Sequence, residues 1–206
     1  MANVKPTRSE LITLKKKIKL AKSGHSLLKK KRDGLMVEVY EILKQIKNLR
    51  KELADEFGQA QRKINIARAV DSDMKVKSVA LAIKQRPAVE VEVKNIMGVH
   101  VPKVKGEQVE KPLLERGYGF RSSTIKIDEA ALGYEKVVDH VIKMAEVEVA
   151  LRKLLEELKK TKRKVNALEQ VTIPRMETDA TYIRVRLEEM ERENFARLKH
   201  IKQGLV

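Results

Sequence analysis

Apolar residues recur from position 11 onward at alternating steps of three and four. They run Leu11, Leu14, Ile18, Ala21, Leu28, Leu35, Val39, Ile42, Ile46, Leu49 and Leu53, with His25 and Arg32 at two of the same positions. Such spacing draws one narrow stripe down a helix and buries it against a single partner helix, as in a coiled coil. The stripe continues with one extra residue through Phe57, Ala60, Ile64 and Ala67. Two successive steps of four loosen a left-handed supercoil at that point. Thr7-Arg8-Ser9-Glu10 reads as a capping box behind Pro6, with Thr7 as N-cap, and Asp71-Ser72-Asp73 reads as the end. About 60 residues at ~1.5 Å each predict a helix of roughly 90 Å.

A second stripe fills the last third: Val137, Val141, Met144, Val147, Leu151, Leu154, Leu158, Thr161, Val165, Leu168 and Thr172. It resumes after Pro174 as Met176, Ala180, Ile183, Leu187, Met190, Asn194, Leu198 and Ile201. The spacing predicts a helix beginning near Ile127-Asp128-Glu129, with Asp128 as N-cap. Because the periodicity survives Pro174, that residue is expected to kink the helix or interrupt one turn rather than end it.

Between the stripes the pattern changes. Val89, Val91 and Val93 alternate with Glu90, Glu92 and Lys94, Asn95-Ile96-Met97-Gly98 reads as a turn, and Val99-His100-Val101 as a return strand stopped by Pro102. Segment 103–124 carries Pro112, Gly117 and Gly119 and is expected to be a mobile loop. The fold class that follows is all-α: a long antiparallel two-helix coiled coil with a short β-hairpin and loop insertion at its tip. The expected divisions of this single helical hairpin are 1–71, 72–127 and 128–206, in a rod near ~100 Å long.

Composition supports a rod over a thick core: aromatics are 3% of the 206 residues, Trp is absent and 36% are charged. With no Cys, disulfides and thiolate metal sites are excluded. The N-terminus has no apolar signal-type segment, and no run is long and apolar enough to span a bilayer. The net charge of +16 is unevenly spread: residues 1–70 carry 18 Lys/Arg against 7 Asp/Glu, whereas 128–206 carry 16 against 15. A basic first helix points to an acidic partner, whether protein, nucleic acid or membrane surface.

The basic runs Lys15-Lys16-Lys17 and Lys29-Lys30-Lys31-Arg32 read as a partner-contact surface, a solvated helix face or a nucleic-acid patch. Residues 1–39 contain no Phe, Tyr or Trp, which counts against base stacking. His25 and Arg32 are polar groups in the seam, which fix register at some cost in stability. Arg32 is expected opposite the 170s, with Glu177 or Asp179 as ion partner. Gly24 and Gly34 each cost about 1 kcal/mol relative to Ala inside a helix. They read either as sites where another backbone comes close or as tolerated surface glycines. Gly117-Tyr118-Gly119 lacks the Gly-Lys-Ser/Thr of a phosphate loop. The run Glu188, Glu189, Glu191 and Glu193, interleaved with Arg192 and Arg197, reads as surface pairing along a helix. His25, His100, His140 and His200 show no metal-ligand spacing. No catalytic, cofactor-binding or metal site is expected.

Two blocks carry a resemblance. The first is Pro6-Thr7-Arg8-Ser9-Glu10-Leu11 with Leu14-Lys15, then Ala21 through Leu35, including Gly24-His25-Ser26 and Arg32-Asp33-Gly34. The second is Arg163-Lys164-Val165-Asn166-Ala167-Leu168-Glu169, Ile173-Pro174, Tyr182-Ile183, Leu187 through Glu193, and Arg197-Leu198-Lys199. Together they resemble the D subunit of the archaeal/vacuolar-type rotary ATPases over the whole chain. The sequence departs from that pattern at Thr178-Asp179-Ala180-Thr181, where an apolar residue is expected after the threonine.

The resemblance implies an antiparallel coiled coil acting as central rotor shaft of a proton- or sodium-translocating ATPase or ATP synthase, non-catalytic by itself. It implies as partners a ring of catalytic A and B subunits, the small F subunit, and the C subunit linking to the membrane rotor, with no nucleic acid. It places the chain peripherally on the cytoplasmic side of the cell membrane. The residues expected to contact partners and carry torque are Arg8, Lys15, Lys16, Gly24, His25, Lys30, Arg32 and Asp33 on the first helix. Those on the second are Arg163, Asn166, Glu188, Glu191 and Arg192. Two other classes fit the composition: a prefoldin-like chaperone arm and a basic nucleic-acid-binding coiled coil.

Overall fold

The computed structural model describes residues 5–83, 88–106, 109, 118 and 124–203. In chain order the elements are α1 (Arg8–Asp71), α2 (Asp73–Ala82), β1 (Val89–Ile96), β2 (Val99–Gly106) and α3 (Ile125–Ala167). A π-helical turn (Leu168–Thr172) follows, then α4 (Ile173–Gln203). The chain is all-α with antiparallel coiled-coil pairing and a small β insertion. It forms two compact units, Met1–Gly34 with Leu158–Val206, and Leu35–Glu157.

In the first unit the start of α1 runs antiparallel to the end of α3 and to α4. Two cross-helix ion pairs and one polar contact set the register: Arg8 with Glu191, Lys22 with Glu177 at 2.6 Å, and His25 Nε2 with Glu169 Oε2 at 3.3 Å. The seam between them buries Leu14, Thr161, Val165 and Ile183. At the N-terminus the Glu10 N–H donates to Thr7 Oγ1 at 3.2 Å, as a cap should. The reciprocal half of the capping box is replaced, because the Thr7 N–H donates to the Lys5 carbonyl.

The expected interruption at Pro174 takes the form of the π turn. Proline has no N–H and its ring crowds the carbonyl four residues back. One residue earlier, the Ile173 N–H reaches the Leu168 carbonyl, a five-residue step. The Thr172 hydroxyl donates to the Ala167 carbonyl at 3.2 Å. The stripe here takes successive steps of four (Leu168, Thr172, Met176, Ala180), and the wider turn absorbs the surplus. The same irregularity in α1, near Phe57, is met without a π turn. There the stripe drifts off the seam, Phe57 is half exposed, and its ring meets Tyr134 edge-on with centroids 6.5 Å apart.

In the second unit the remainder of α1 runs antiparallel to α3. Leu35, Val39, Ile42, Ile46, Ala60 and Ala67 are buried on α1, and Ile127, Ala130, Val137, Met144, Ala150 and Leu154 on α3. The Tyr134 hydroxyl donates to Gln61 Oε1 at 2.8 Å, and His140 Nδ1 faces Glu56 Oε2 at 3.5 Å. Gly133 allows a close approach, since a Cβ built there would meet Ala60 Cα and Cβ at 3.4 Å.

The insertion departs from the expected pattern in three places. First, α2 is a helix where the hydrophobic pattern assigned no element. Ser72, at φ 72 and ψ 147, separates it from α1. A left-handed φ on a non-glycine residue costs about 1–3 kcal/mol and must be held by its surroundings. Second, β2 runs on through Pro102 to Gly106, with Pro102 opposite Val93. Counted from the two-residue turn at Met97-Gly98, the Val93/Pro102 pair is one that exchanges no backbone hydrogen bond, so the missing N–H costs nothing. Third, α3 starts at Ile125, ahead of the expected Asp128. The Thr124 carbonyl accepts from the Ile127 and Asp128 N–H groups, so Thr124 sits at the helix entry. Most of the loop expected over 103–124 lies outside the described residues.

The turn at Met97 (φ 50) and Gly98 (φ 85) is a left-handed pair suited to a two-residue hairpin. The Gly98 N–H donates to Asn95 Oδ1 at 2.8 Å.

Candidate interaction surface

All thirteen residues expected to contact partners fall in the first unit. The antiparallel register brings together the two chain ends that the sequence motifs occupy. Arg8, at the start of α1, meets Glu191 of α4. Glu188, Glu191 and Arg192 share an open face of α4 with Phe195, Ala196 and Lys199. Arg163 and Asn166 are exposed on α3, away from the buried Thr161 and Val165.

Lys15, Lys16 and Lys30 are exposed and have no carboxylate partner among the described residues. His25 lies partly buried in the seam and pairs across it with Glu169, so this polar seam position ties α1 to the π turn.

One expectation does not hold. Arg32 does not reach Glu177 or Asp179. Its guanidinium takes the adjacent Asp33, with Nε and Nη2 donating to Oδ1 at 2.9 and 2.7 Å. The register explains this: Glu177 lies opposite Lys22, almost three turns nearer the N-terminus. At Gly24 an added Cβ would meet nothing within 4 Å, so the chain's own packing leaves that position open to a partner's backbone or to solvent. Within the second unit a close helix contact lies at Gly133.

Glu189 and Glu193 of the acidic run pair along their own helix, while Glu191 pairs across the seam with Arg8. Arg186 donates to Glu189 at 2.7 Å, and Arg197 lies 3.9 Å from Glu193. The hydrogen bond and charge of Glu189 raise the Arg186 pKa above its ordinary value. At the Thr178–Thr181 departure, the two threonine hydroxyls donate to the carbonyls of Pro174 and Glu177, so their polarity is satisfied within the helix.

Among the exposed apolar residues off the expected stripes, Leu20 and Leu27 project from the outer face of α1, and Phe195 from α4. Leu198 and Ile201 lie on the expected stripe but are exposed on the last turns of α4. The α4 stripe therefore continues beyond Glu191, the residue that meets the first turn of α1. In the second unit a 290 Å³ apolar crevice lies between α1, α2 and α3, lined in part by Ile64, Val76, Val79, Ile83, Tyr118 and Tyr134. Its neighbour Asp71 is the acceptor that joins three elements: the Thr124 hydroxyl donates to it at 2.6 Å and Lys75 of α2 at 2.9 Å. These contacts hold the Asp71 pKa below the ordinary carboxylate value, the Thr124 hydrogen bond most of all.

Among the described residues no cluster of His, Asp and Glu could hold a metal ion, and no helix is long and apolar enough to cross a membrane. The surface is thus one of helix faces, exposed lysines and apolar end turns, suited to binding other chains.

Comparison with known proteins agrees along the full length. The chain is 51% identical over 201 residues to the A-type ATP synthase D subunit of Methanococcoides burtonii, covering 98% of each chain. It is 52% identical over 200 residues to that of Methanosarcina acetivorans, covering 97% of this chain and 96% of the relative. To that of Archaeoglobus fulgidus it is 48% identical over 203 residues, covering 98% and 97%. The family of ATP synthase D subunits matches residues 10–203, which takes in both antiparallel helix pairs and the hairpin between them, and the chain belongs to that family.

Proposed function

We propose that this protein is the central rotor shaft of an A/V-type ATP synthase or ATPase, coupling ATP turnover in a ring of A and B subunits to rotation of the membrane ion-transporting ring. The observation that carries the reading is the match to the D-subunit family along both antiparallel helix pairs. The chemistry belongs to the ring. The shaft contributes a stiff element and a surface that differs around its axis.

Stiffness comes from the packed seam and its cross-helix ion pairs. Asymmetry comes from charge: residues 8–34 carry 10 Lys/Arg and 2 Asp/Glu. A shaft with one strongly basic helix face presents different contacts to each catalytic interface. Each interface is then biased toward the conformation that binds the face it meets, and turning the shaft moves that bias to the next. The thirteen residues of the first unit are the proposed torque contacts, with the F subunit at the side. The second unit's insertion is the proposed end toward the C subunit, which links the shaft to the membrane rotor on the cytoplasmic side.

The test is deletion of residues 1–20 in a reconstituted complex. Hydrolysis of ATP should continue while ion pumping is lost. Full coupling would remove that segment from the torque contacts.

A further inference from the structure

The second unit holds an apolar crevice that its own packing leaves open. About 290 Å³ lies between α1, α2 and α3, walled by Ile64 and Ala67 of α1, Val76, Val79 and Ile83 of α2 and its C-cap, and Ala131 of α3. Val76, Val79 and Ile83 repeat at i, i+3 and i+7, so α2 turns one apolar face to the crevice. No residue of α2 is buried, and Ile83 is 45% exposed. The helix stands off from α1 and α3 and leaves this apolar surface wet, which is unfavourable in proportion to its area.

A carboxylate stands at the end where α2 leaves α1. Asp71 lies one turn beyond Ala67 on the same face of α1, and its side chain is only 9% exposed. Its Oδ1 accepts from the Thr124 hydroxyl and from Lys75, but its buried Oδ2 has no hydrogen-bond partner among the described residues. Leaving a buried acceptor unmet is costly, and native proteins keep few of them. The two tyrosine hydroxyls beside the crevice are already engaged, Tyr118 with Asp128 and Tyr134 with Gln61. One hydrogen-bond donor joined to one apolar body would complete the site. From the crevice and the unmet oxygen we infer a binding site for a small amphipathic amine, its apolar body in the crevice and its ammonium donating to Asp71 Oδ2. The volume suits the smallest class of such ligands. The carboxylate excludes anions. Lys75 does not reverse this, because it takes Oδ1 and its side chain is 41% exposed, where solvent screens its charge. Occupancy fastens α2 onto α1 and α3, so the ligand sets how firmly the insertion is held. The inference goes beyond the shaft reading and does not depend on it.

Three probes with one body and different heads test it: phenylbutylamine, phenylbutanol and phenylbutyrate. Each is titrated into the full-length protein and followed by amide chemical shifts, with amide exchange measured at saturation. The amine should bind about tenfold or more tightly than the alcohol, as a charge-assisted hydrogen bond to a buried carboxylate requires. The acid should bind more weakly than either. Binding of the amine should slow amide exchange across Asp73–Ala82. Asp71→Asn removes the charge and should bring the amine and the alcohol within about twofold of each other. Ala131→Leu puts a larger side chain into the crevice from a half-buried position, so the protein should still fold, with its circular dichroism unchanged. Its affinity for the amine and the alcohol alike should fall about tenfold.

If none of the three probes binds, a water meets the Asp71 oxygen and the inference is wrong. It is also wrong if all three bind equally, or if Ala131→Leu binds the amine like the parent. A preference for the amine that survives Asp71→Asn places the ammonium elsewhere and overturns the assignment. Every measurement uses the isolated full-length protein, so none of these outcomes bears on the shaft reading.

Discussion

Three helical glycines make a quantitative test of where the helices touch. Glycine costs about 1 kcal/mol relative to alanine inside a helix, because it gives up more backbone freedom on folding. At Gly24 and Gly58 an added Cβ meets nothing within 4 Å, so alanine should recover nearly all of that. For a chain of this size the gain corresponds to a rise in melting temperature of about 2–4 °C per substitution. At Gly133 the new methyl would lie 3.4 Å from both Cα and Cβ of Ala60 and 3.7 Å from Lys63 Cδ. That is the near limit of ordinary contact, and Ala60 is fully buried with its backbone facing the new methyl, so it yields little. The propensity gain and the crowding should nearly cancel, leaving Gly133→Ala within about 0.5 kcal/mol of the parent. Gly133→Val adds two more carbons against the same wall and should lose about 1–3 kcal/mol. Urea unfolding followed by far-ultraviolet circular dichroism measures all four variants. Destabilisation by Gly24→Ala, or an unchanged Gly133→Val, would refute the assigned packing of α1.

Further outcomes follow from single positions. Leu154 and Ile183 are fully buried, one in each unit, so truncating either to alanine should cost about 2–5 kcal/mol in an unfolding titration. Asp71 has its pKa lowered by the Thr124 hydrogen bond and by Lys75, and Asp73 by Lys77 and Arg68. Depressed folded values mean that these carboxylates stabilise the fold above their unfolded pKa, about 3.9, and that this is lost as pH falls through the folded values. Asp71→Asn should therefore lower stability at neutral pH and shrink the loss on acidification, measured as melting temperature against pH. Gly98→Ala places a Cβ at φ 85, so it should destabilise the hairpin by about 1–2 kcal/mol, seen as faster amide exchange in β1 and β2.

The coiled-coil seams were legible because heptad spacing and burial share one physical cause. Leu14, Leu35, Val39, Ile42, Ile46, Leu154, Val165 and Ile183 all lie on the expected stripe and are all buried. The partner of Arg32 was not legible, since an antiparallel register depends on where both helices start. Here α3 starts earlier than expected, and the π turn adds a residue between the stripes. Helix α2 was hidden by its setting. Val76, Val79 and Ile83 have helical spacing, but a ten-residue element beside a strand signal offers too few periods to stand out. Pro102 misled because only the pairing pattern of the hairpin decides whether its missing N–H matters. Of the candidate surface, the basic runs and Gly24 were visible as residue types. That Leu20 and Leu27 face outward emerged only once the seam had claimed the opposite side of α1.

The central claim is rotation. A probe attached to the β-hairpin of this protein, in a complex whose A–B ring is fixed to a surface, should turn in one direction when ATP is added. The three catalytic interfaces that the rotary-ATPase resemblance implies for the ring predict three pauses per revolution. A probe that stays fixed while the complex hydrolyses ATP, with the protein still bound, would contradict the account.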